Sequence, residues 1–409
     1  MQLYGSIICH LMKMNKIRIL HMVSGVDIGN RSGGAESHAL HITHMIDRNK
    51  FEPYVFIVQK YDSLEEKKWL NKLQDANVNI INCYEGKAND NSFLQELKCL
   101  WRSIKSIQPD IIHSHSERND LLNLLTCLFH PLHPLAIRTV HIDQQWQTHK
   151  KLGSIIEKTI FPRFFSKEVV VSQTLQNLLA GTGLRNKSDI SICYNGIDQS
   201  FFYKKPPENY PQGIPEIKPL IGIVARLTEQ KNHSILIKTI DEVNQILETK
   251  VNLLIIGDGP LKNSLKNLTK ELELENVVHF LGVRNDILDI LPFLDLFILP
   301  SQWEGFPTAL LEAMSQEVLV IATNVSGSCE LVEDGITGFL VKSNDQDSLV
   351  EKTIYALTHP EESQEIAKRG KVFAKQYTLQ NMVVCYEKIY DGIFYSYSGN
   401  SLTDPPPKK

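Results

Sequence analysis

Two glutamates in one short segment are the side chains whose types and spacing best suit ligand chemistry. Glu304 and Glu312 are separated by seven residues in the run Leu-Pro-Ser-Gln-Trp-Glu-Gly-Phe-Pro-Thr-Ala-Leu-Leu-Glu-Ala-Met, which spans 299–314. An ionised carboxylate only accepts hydrogen bonds, and its two oxygens suit a vicinal diol such as that of ribose. The alternative is structural, with Glu304 capping a helix and Glu312 a solvated helix residue.

The segment around these glutamates predicts a strand, a tight loop and a helix N-terminus. An apolar strand over 294–299 leads into a loop that contains Gly305, and Pro307 is expected to be the first helical residue. Free backbone amides and the positive end of the helix dipole make this junction a predicted anion site. Thr308 should lie on the same side of the helix as Glu312.

Two cations follow another predicted strand, over 219–225. Arg226 and Lys231 bracket a strand-to-helix junction, and the helix begins near His233. Two fixed cations beside a helix N-terminus can neutralise a diphosphate. The alternative is a solvated charged loop.

Glu304 is followed by Gly-Phe-Pro, and Glu312 is preceded by Leu-Leu. This pattern resembles the E-x(7)-E signature of retaining, GT-B-fold glycosyltransferases, specifically glycosyltransferase family four, over residues 16–395. The resemblance implies an α/β chain with two doubly wound, Rossmann-like parallel-sheet domains facing a cleft. It also implies transfer of a sugar from a UDP- or GDP-sugar to a glycan or lipid-linked acceptor in polysaccharide or lipopolysaccharide assembly.

The resemblance assigns donor-side roles to several residues. Arg226 and Lys231 hold the diphosphate, helped by the amides near Gly305 and Phe306, so that no metal or other cofactor is required. Glu304 positions the sugar and Glu312 holds the ribose. The nucleobase packs on the backbone around two further residues of the same domain, Val283 and Arg284.

The resemblance also assigns roles in the first half of the chain. A glycine-rich loop over 24–36 approaches the donor phosphates and the acceptor through Gly33 and Gly34, and Glu36 takes the place of an acidic position of the family. His115 contacts the transferred sugar. The acceptor-side candidates have weaker support and are Arg118, Asn119 and His141. A lone histidine at a strand end is more often structural.

Apolar segments of strand length alternate with amphipathic helices along the chain, for example the helix over 93–107. This rhythm predicts parallel sheets whose ligands lie beyond the C-terminal ends of the strands. The predicted organisation is an extension (1–15), an acceptor-binding domain (16–200), a proline-rich linker (201–218), a nucleotide-sugar-binding domain (219–378), a crossover helix (379–395) and a disordered tail (396–409).

The formal charge of −4 conceals an asymmetry between the two halves of the chain. Residues 1–215 carry 25 Lys and Arg against 20 Asp and Glu, a balance of +5, and the remainder carries 18 against 27, a balance of −9. A mildly basic first half favours an anionic acceptor or an anionic membrane surface. The segment 153–165 is a candidate for peripheral membrane association, but Pro162 interrupts it and favours an ordinary helix that leads into the strand at Val169. The charge is too weak to favour nucleic acid.

Seven scattered cysteines predict reduced thiols and no structural zinc. No apolar run is long enough to span a membrane. We therefore expect a cytoplasmic location, with the inner face of the cytoplasmic membrane as an alternative. The Asp-x-Asp sequence at Asp345 and Asp347 is predicted to be a helix N-cap and not a metal site.

Three alternatives to sugar transfer stay open. A GT-B phosphorylase or a nucleotide-sugar epimerase would share the fold, and a non-catalytic nucleotide-sugar-binding subunit would share the ligand. The identities of the sugar, the base and the acceptor are not encoded in any motif that we recognise.

Overall fold

The structure is a computed structural model that describes residues 16–28, 33–83, 92–142, 150–182, 184–203 and 207–400. The predicted extension (1–15), part of the glycine-rich loop (29–32) and the end of the predicted tail (401–409) lie outside the described residues.

Thirteen strands are found among the described residues. They are β1 Ile17–Val23, β2 Phe51–Ile57, β3 Asn79–Asn82, β4 Ile111–Ser114, β5 Leu135–Val140, β6 Lys167–Val170, β7 Ile190–Ile192, β8 Leu220–Val224, β9 Asn252–Ile256, β10 Val278–Gly282, β11 Leu296–Leu299, β12 Leu319–Thr323 and β13 Phe339–Val341.

The helices of the described residues alternate with these strands. They are α1 Gly34–Met45, α2 Leu64–Asp75, α3 Phe93–Ile107, α4 Glu117–Phe129, α5 Lys150–Ile155, α6 Phe161–Phe164, α7 Gln173–Ala180, α8 Ser200–Tyr203, α9 His233–Ile246, α10 Lys262–Glu271, α11 Ile287–Ile290, α12 Thr308–Ser315, α13 Ser326–Leu331, α14 Gln346–Thr358, α15 Pro360–Ala374 and α16 Leu379–Asn400. A π-helical turn, Ile156–Ile160, connects α5 to α6.

The strands form two sheets. The order is β3-β2-β1-β4-β5-β6-β7 in the first and β10-β9-β8-β11-β12-β13 in the second. Strand pairing is parallel throughout the second sheet, and in the first sheet between β3 and β2, β2 and β1, β1 and β4, and β4 and β5. In both orders the direction of winding reverses beside the first strand, between β1 and β4 and between β8 and β11. Ligands of doubly wound sheets bind at such switch points. The predicted α/β, doubly wound class is confirmed.

The chain divides into two compact units. The first comprises Met1–Thr139, Lys151–Val169 and Val383–Lys409, and the second comprises Val140–Lys150 and Val170–Met382. Buried apolar side chains of β1, β2 and α3 pack together in the first unit, and those of β8, β9, β11 and β12 form the core of the second.

Local sequence signals account for several element boundaries. Ser92 accepts a hydrogen bond from the Gln95 amide and its own amide donates to the Gln95 side chain, so this capping box starts α3 at its predicted position. Asp345 is the N-cap of α14, and its carboxylate accepts hydrogen bonds from the amide and hydroxyl of Ser348. The predicted capping role of Asp345 is confirmed.

Two expectations about the end of the chain and its thiols were wrong. Helix α16 continues to Asn400, so Ser396–Asn400 are helical where a disordered tail was predicted. Cys193 is disulfide-bonded, so the thiols are not all reduced, whereas other cysteines are free thiols, for example Cys83 and Cys127. Among the described residues we find no helix that is both long and apolar enough to cross a bilayer.

A buried arginine connects four elements of the first unit. Arg138 on β5 donates through Nε to Glu168 at 2.8 Å, through Nη1 to Glu157 at 2.9 Å, and through Nη1 to Asp120 at 3.3 Å. Its guanidinium also lies 4.4 Å from the ring centre of Phe161. The cation is fully buried, so the three carboxylates depend on it for their neutralisation.

Replacing this cation should destabilise the protein strongly. We expect Arg138→Met to lower the free energy of unfolding by about 3–5 kcal/mol, because it leaves buried carboxylates without a counter-charge. Urea-induced unfolding followed by far-ultraviolet circular dichroism measures the change. The control is Lys68→Met, which removes the exposed pair with Glu65 and should cost less than about 1 kcal/mol. Equal effects of the two substitutions would contradict this assignment.

Candidate active site

The central feature of the second unit is an ion pair at its switch point. Lys231, in a 3-10 turn after β8, lies with Nζ 2.5 Å from Oε1 of Glu304, in the loop after β11. The hydroxyl of Ser301 donates to the same oxygen at 2.6 Å. The Glu304 side chain is 6% exposed and that of Lys231 is 19% exposed. The structure thus brings together two of the predicted catalytic residues and adds Ser301, which sequence reasoning missed.

The two loops that carry this pair are connected to each other through one glutamine. Gln230 donates through its side-chain amide to the carbonyl of Trp303 at 2.9 Å, and its own carbonyl accepts from the Gln302 amide at 2.7 Å. Lys231 is therefore held against the loop that presents Glu304. The next residue, Asn232, adopts a left-handed conformation (φ 50°) and starts α9.

Glycines let the backbone around Glu304 pack closely inside the second unit. A Cβ atom on Gly305 would lie 1.6 Å from the carbonyl oxygen of His141, and one on Gly327 would lie 2.0 Å from the carbonyl oxygen of Gly305. The hydroxyl of Ser326 donates to the Glu304 carbonyl at 2.7 Å. The loop is thus fixed by its neighbours, and only glycine fits at positions 305 and 327.

The helix after this loop begins one residue later than predicted. Pro307 is the N-cap, with φ −75° and ψ 109°, and Thr308 is the first helical residue. Proline's fixed φ is compatible with both positions, but the extended ψ excludes Pro307 from the helix. The preceding residue, Phe306, is buried, and its carbonyl accepts a hydrogen bond from Asn195 at 2.9 Å. The predicted anion site, which stays a prediction, would therefore lie at the Phe306–Thr308 turn.

The other predicted cation, Arg226, is exposed at the end of β8. Its side chain makes no hydrogen bond or ion pair with any residue that the structure describes. A free guanidinium on the same loop as Lys231 can receive an anionic ligand without breaking an internal contact.

Glu312 is a half-buried carboxyl on α12 without a polar partner for its side chain among the described residues. Burial raises the pKa of this carboxyl to about 7. A fully solvated helix glutamate would be exposed, whereas Glu312 is half-buried. A ligand that donates hydrogen bonds would favour its ionised form.

The loops after β8 and β9 and the end of β10 pack against one another through their backbones. A Cβ atom on Gly257 would lie 2.0 Å from the Ala225 carbonyl, and the Gly257 amide donates to the Gly282 carbonyl at 2.8 Å. Arg284 follows β10, and its guanidinium donates to Asp286 through Nη2 at 2.5 Å and through Nε at 2.7 Å. Its side chain is therefore occupied, which leaves the backbone at Val283 and Arg284 for the predicted contact with a base.

In the first unit, the glycine pair lies at the start of α1. Gly33 is the N-cap, and its amide donates to Glu36 at 3.0 Å. Neither glycine has a positive φ, and a Cβ on Gly34 would meet nothing within 4 Å. Packing of the described residues thus does not require glycine at Gly34. Glu36 acts here as a capping residue.

The histidine and acceptor-side candidates have different surroundings. His115 is buried after β4, and its Nε2 lies 3.2 Å from Nδ1 of His21. Arg118 donates two hydrogen bonds to the Glu96 carboxylate, at 2.8 and 2.9 Å. The side-chain amide of Asn119 donates to the Met22 carbonyl. Both side chains are thus engaged in internal contacts, which weakens their predicted acceptor role.

His141 belongs to the second unit, beside Gly305. Burial lowers the pKa of its imidazole to about 3, so the ring is neutral at physiological pH. The structure therefore places His141 against the Glu304 loop.

Sequence reasoning missed a polar cluster around His115. The nitrogen atoms of His21, His113 and His115 lie within 4.8 Å of one another, and all three residues are buried. Such spacing could in principle suit a metal ion, but hydrogen bonds already engage both ring nitrogens of His113, one with Thr139 and the other with Tyr390. The sequence signal that could have revealed this cluster is the presence of histidines within apolar segments of strand length, at His21 and His113.

Comparison with known proteins places this geometry in a family. A model described as Glycosyltransferase Family 4 matches residues 32–201, and one described as Glycosyl transferases group 1 matches residues 205–373. The UDP-Gal:alpha-D-GlcNAc-diphosphoundecaprenol alpha-1,3-galactosyltransferase of Escherichia coli is 30% identical over 267 residues, which are 63% of this chain and 68% of that protein. The chain belongs to glycosyltransferase family 4. The predicted family and the predicted glycosyltransferase activity are confirmed.

Further relatives extend over more of the chain. The N,N'-diacetylbacillosaminyl-diphospho-undecaprenol alpha-1,3-N-acetylgalactosaminyltransferase of Campylobacter jejuni is 24% identical and covers 83% of this family 4 enzyme and 91% of its own length. Among solved structures, Anabaena Alr3699/HepE in complex with UDP and glucose matches with a TM-score of 0.74 at 19% identity, covering 92% of this chain and all of its own. A Rickettsia africae glycosyltransferase matches with a TM-score of 0.72 at 21% identity, covering 93% and 99%. These similarities confirm the GT-B fold.

The Glu312 carboxyl predicts proton release when this glycosyltransferase binds a nucleotide sugar. With a pKa of about 7, the Glu312 carboxyl is protonated in most unliganded molecules at pH 6.5. Ribose hydroxyls that donate to Glu312 would favour the carboxylate, so binding should release a proton and affinity should rise from pH 5.5 to pH 8.

Calorimetric titration with a UDP-sugar in buffers of different ionisation enthalpy measures this release. UDP-sugars suit the measurement because both of their phosphates are esterified and do not titrate in this range. The matched control is Glu312→Gln, which should bind without the pH-dependent proton release. Proton release that persists in the variant would show that another group is responsible.

Proposed function

We propose that this enzyme transfers a hexose from a UDP- or GDP-sugar to a glycan or lipid-linked acceptor, with retention of anomeric configuration and without a metal. The single observation that carries the proposal is the buried pair between Lys231 and Glu304 at the switch point of the second sheet. A cation and a carboxylate held there match the two ends of a sugar diphosphate, which are an anion and a set of hydroxyl donors.

The first step is capture of the diphosphate. Arg226 is free to bind one phosphate, and Lys231 can turn from Glu304 toward the other, because a lysine ammonium has three donors on a flexible stem. The turn at Phe306–Thr308 adds the positive end of α12. Together these groups neutralise the charge that develops on the leaving diphosphate.

Glu304 would then accept hydrogen bonds from the sugar hydroxyls, since its carboxylate is held by Ser301 on the side of Oε1. In the transfer step the bond between the anomeric carbon and the phosphate oxygen breaks, and a bond from the acceptor oxygen forms on the same face. The acceptor proton passes to the departing phosphate oxygen, so no protein base is assigned. Positioning and charge stabilisation account for the catalysis.

The donor and acceptor classes are supported by the relatives. The Escherichia coli relative is named for UDP-Gal and for a sugar-diphosphoundecaprenol acceptor, and the Campylobacter jejuni relative is named for a diphospho-undecaprenol acceptor. We extend these classes to this chain, in assembly of a cell-surface polysaccharide at the inner face of the cytoplasmic membrane. The basic balance of residues 1–215 is consistent with an anionic, lipid-diphosphate acceptor.

Three variants test the assignment by donor turnover. Released nucleoside diphosphate is measured with a panel of UDP- and GDP-sugars, with and without a lipid-diphosphate-linked sugar. We expect Glu304→Gln and Lys231→Met each to lower kcat about 100-fold, since each removes a group that stabilises the transition state. Arg226→Met should raise KM and also lower kcat, because its guanidinium would bind the donor phosphate and stabilise the charge that develops on it.

The matched control is Lys371→Met, which breaks a surface ion pair with Glu317 in the same unit and should leave turnover unchanged. Proton NMR of the product should show the anomeric configuration of the donor. Three outcomes would contradict the proposal: nucleotide binding without turnover indicates a binding subunit, dependence on free phosphate indicates a phosphorylase, and an inverted product excludes retention.

A further inference from the structure

Seven buried side chains of the first unit form a single hydrogen-bonded series, which we call the histidine–tyrosine chain. All are at most 5% exposed, and they come from β1, β4, β5, α1 and α16 and from the residue that follows β4. In order, the members are His38, Tyr386, Thr139, His113, Tyr390, His21 and His115.

The first half of the histidine–tyrosine chain joins α1 to β4 through α16. His38 Nε2 lies 2.9 Å from the Tyr386 hydroxyl, and that hydroxyl lies 3.0 Å from Oγ1 of Thr139. Thr139 in turn lies 2.8 Å from Nε2 of His113. Three consecutive links thus connect four side chains from four different elements.

The second half returns to the histidine that the resemblance places against the sugar. His113 Nδ1 lies 2.7 Å from the Tyr390 hydroxyl, which is 3.4 Å from Nε2 of His21. His21 Nδ1 then lies 3.2 Å from Nε2 of His115. Of the six links, the one between Tyr390 and His21 is the longest.

Burial disfavours the charged form of every ionisable member of the histidine–tyrosine chain. Burial lowers the pKa of His21 to about 3 and raises the pKa of the Tyr390 hydroxyl well above its ordinary value. A neutral imidazole has one N–H and one acceptor nitrogen, and each hydroxyl has one proton to donate. Each of the five interior members therefore donates in one link and accepts in the other.

This proton count makes the series directional. Six links need six protons, the five interior members supply five, and one terminal histidine supplies the last. If His115 donates through Nε2, then His115, His21 and His113 are all Nε2–H tautomers and His38 is Nδ1–H. If His38 donates through Nε2, the same three histidines are all Nδ1–H and His38 is Nε2–H. Mixed states would leave a link without a proton, a link with two, or a buried hydroxyl that accepts in both of its links and has no acceptor for its own proton.

We propose that Tyr386 and Tyr390 are positioning residues that couple, through the histidine–tyrosine chain, the tautomer of His115 to the tautomers of the other three histidines. The proposal rests on the proposed function in one respect, the role of His115 at the transferred sugar. The tautomer decides whether the ring faces a sugar hydroxyl as a donor or as an acceptor. The C-terminal helix α16 thereby acts on the site through two hydroxyl groups, although neither tyrosine is assigned a contact with substrate.

Nitrogen-15 NMR of the full-length protein labelled at histidine tests the tautomers directly. Couplings from the ring protons distinguish a protonated from a bare nitrogen, and single His→Gln variants assign the signals. We expect His21, His113 and His115 to share one tautomer and His38 to hold the opposite one. A different tautomer in any of the first three, a shared tautomer in all four, or a charged ring would overturn the proposal.

Two phenylalanine variants cut the series at different points. Tyr386→Phe isolates His38 alone, so the other three histidines should keep a common tautomer. Tyr390→Phe separates His113 from His21, so the tautomers on the two sides are no longer required to agree. We expect Tyr390→Phe to lower kcat about tenfold with little change in KM. A tenfold change corresponds to the net free energy of about one neutral hydrogen bond.

The control is Tyr355→Phe, which removes a surface hydrogen bond to Glu362 and should change neither kcat nor the signals of His21, His38, His113 and His115. If both chain variants lower the melting temperature but leave the tautomers and kcat unchanged, the tyrosines are only structural. Titration with Zn²⁺ addresses the metal alternative: a stoichiometric complex that shifts His21, His113 and His115 and keeps full activity would also overturn the proposal.

These readouts separate failure of the inference from failure of the proposed function. The predicted tautomer pattern without any donor turnover would retain the histidine–tyrosine chain and reject the sugar role of His115. Turnover that depends on Glu304, in a protein whose histidines show mixed tautomers, would retain the proposed function and reject the chain.

Discussion

The ion pair between Lys231 and Glu304 is the interaction on which the candidate site depends. A carboxylate with 6% exposure is costly to bury alone, so Glu304 needs both the lysine ammonium and the Ser301 hydroxyl. In the proposed function the same ammonium also binds the diphosphate. Donor binding would then exchange one anionic partner of Lys231 for another, and this exchange would leave Glu304 available to the sugar.

Close backbone packing restricts this exchange to side-chain movements. Gly305 and Gly327 allow the loop after β11 to lie against its neighbours at distances that no larger residue could reach, and Gly257 does the same for the loop after β9. Ser326 and Asn195 add hydrogen bonds to the carbonyls of the same loop. The side chains of Lys231 and Arg226 can thus move while the backbone that presents Glu304 stays in place, which is the condition for a preorganised site.

Sequence alone could predict features that depend on local chemistry. The capping box at Ser92 sets the start of α3, Asp345 caps α14, and the strand–loop–helix pattern places Glu304 at the end of β11. Alternation of apolar strands with helices was sufficient for the doubly wound class. The strand orders themselves, which create the two switch points, were not readable from periodicity.

Features that depend on tertiary partners could not be predicted in the same way. Arg118 looked like an acceptor-side residue, but Glu96, more than twenty positions away, engages its guanidinium. Pro307 was placed inside the helix because φ alone does not distinguish the N-cap from the first turn. The histidine–tyrosine chain joins residues as distant as His38 and Tyr386, and no spacing rule brings such positions together.

The central claim is that a donor diphosphate takes over Lys231 and releases Glu304 to the sugar. A crystal structure of the enzyme with an unreactive nucleotide-sugar analogue tests it most directly. The account predicts phosphate oxygens within hydrogen-bond distance of Lys231 and Arg226, with sugar hydroxyls on the Glu304 carboxylate. A complex in which the Lys231–Glu304 pair stays intact, with the diphosphate bound elsewhere, would contradict it.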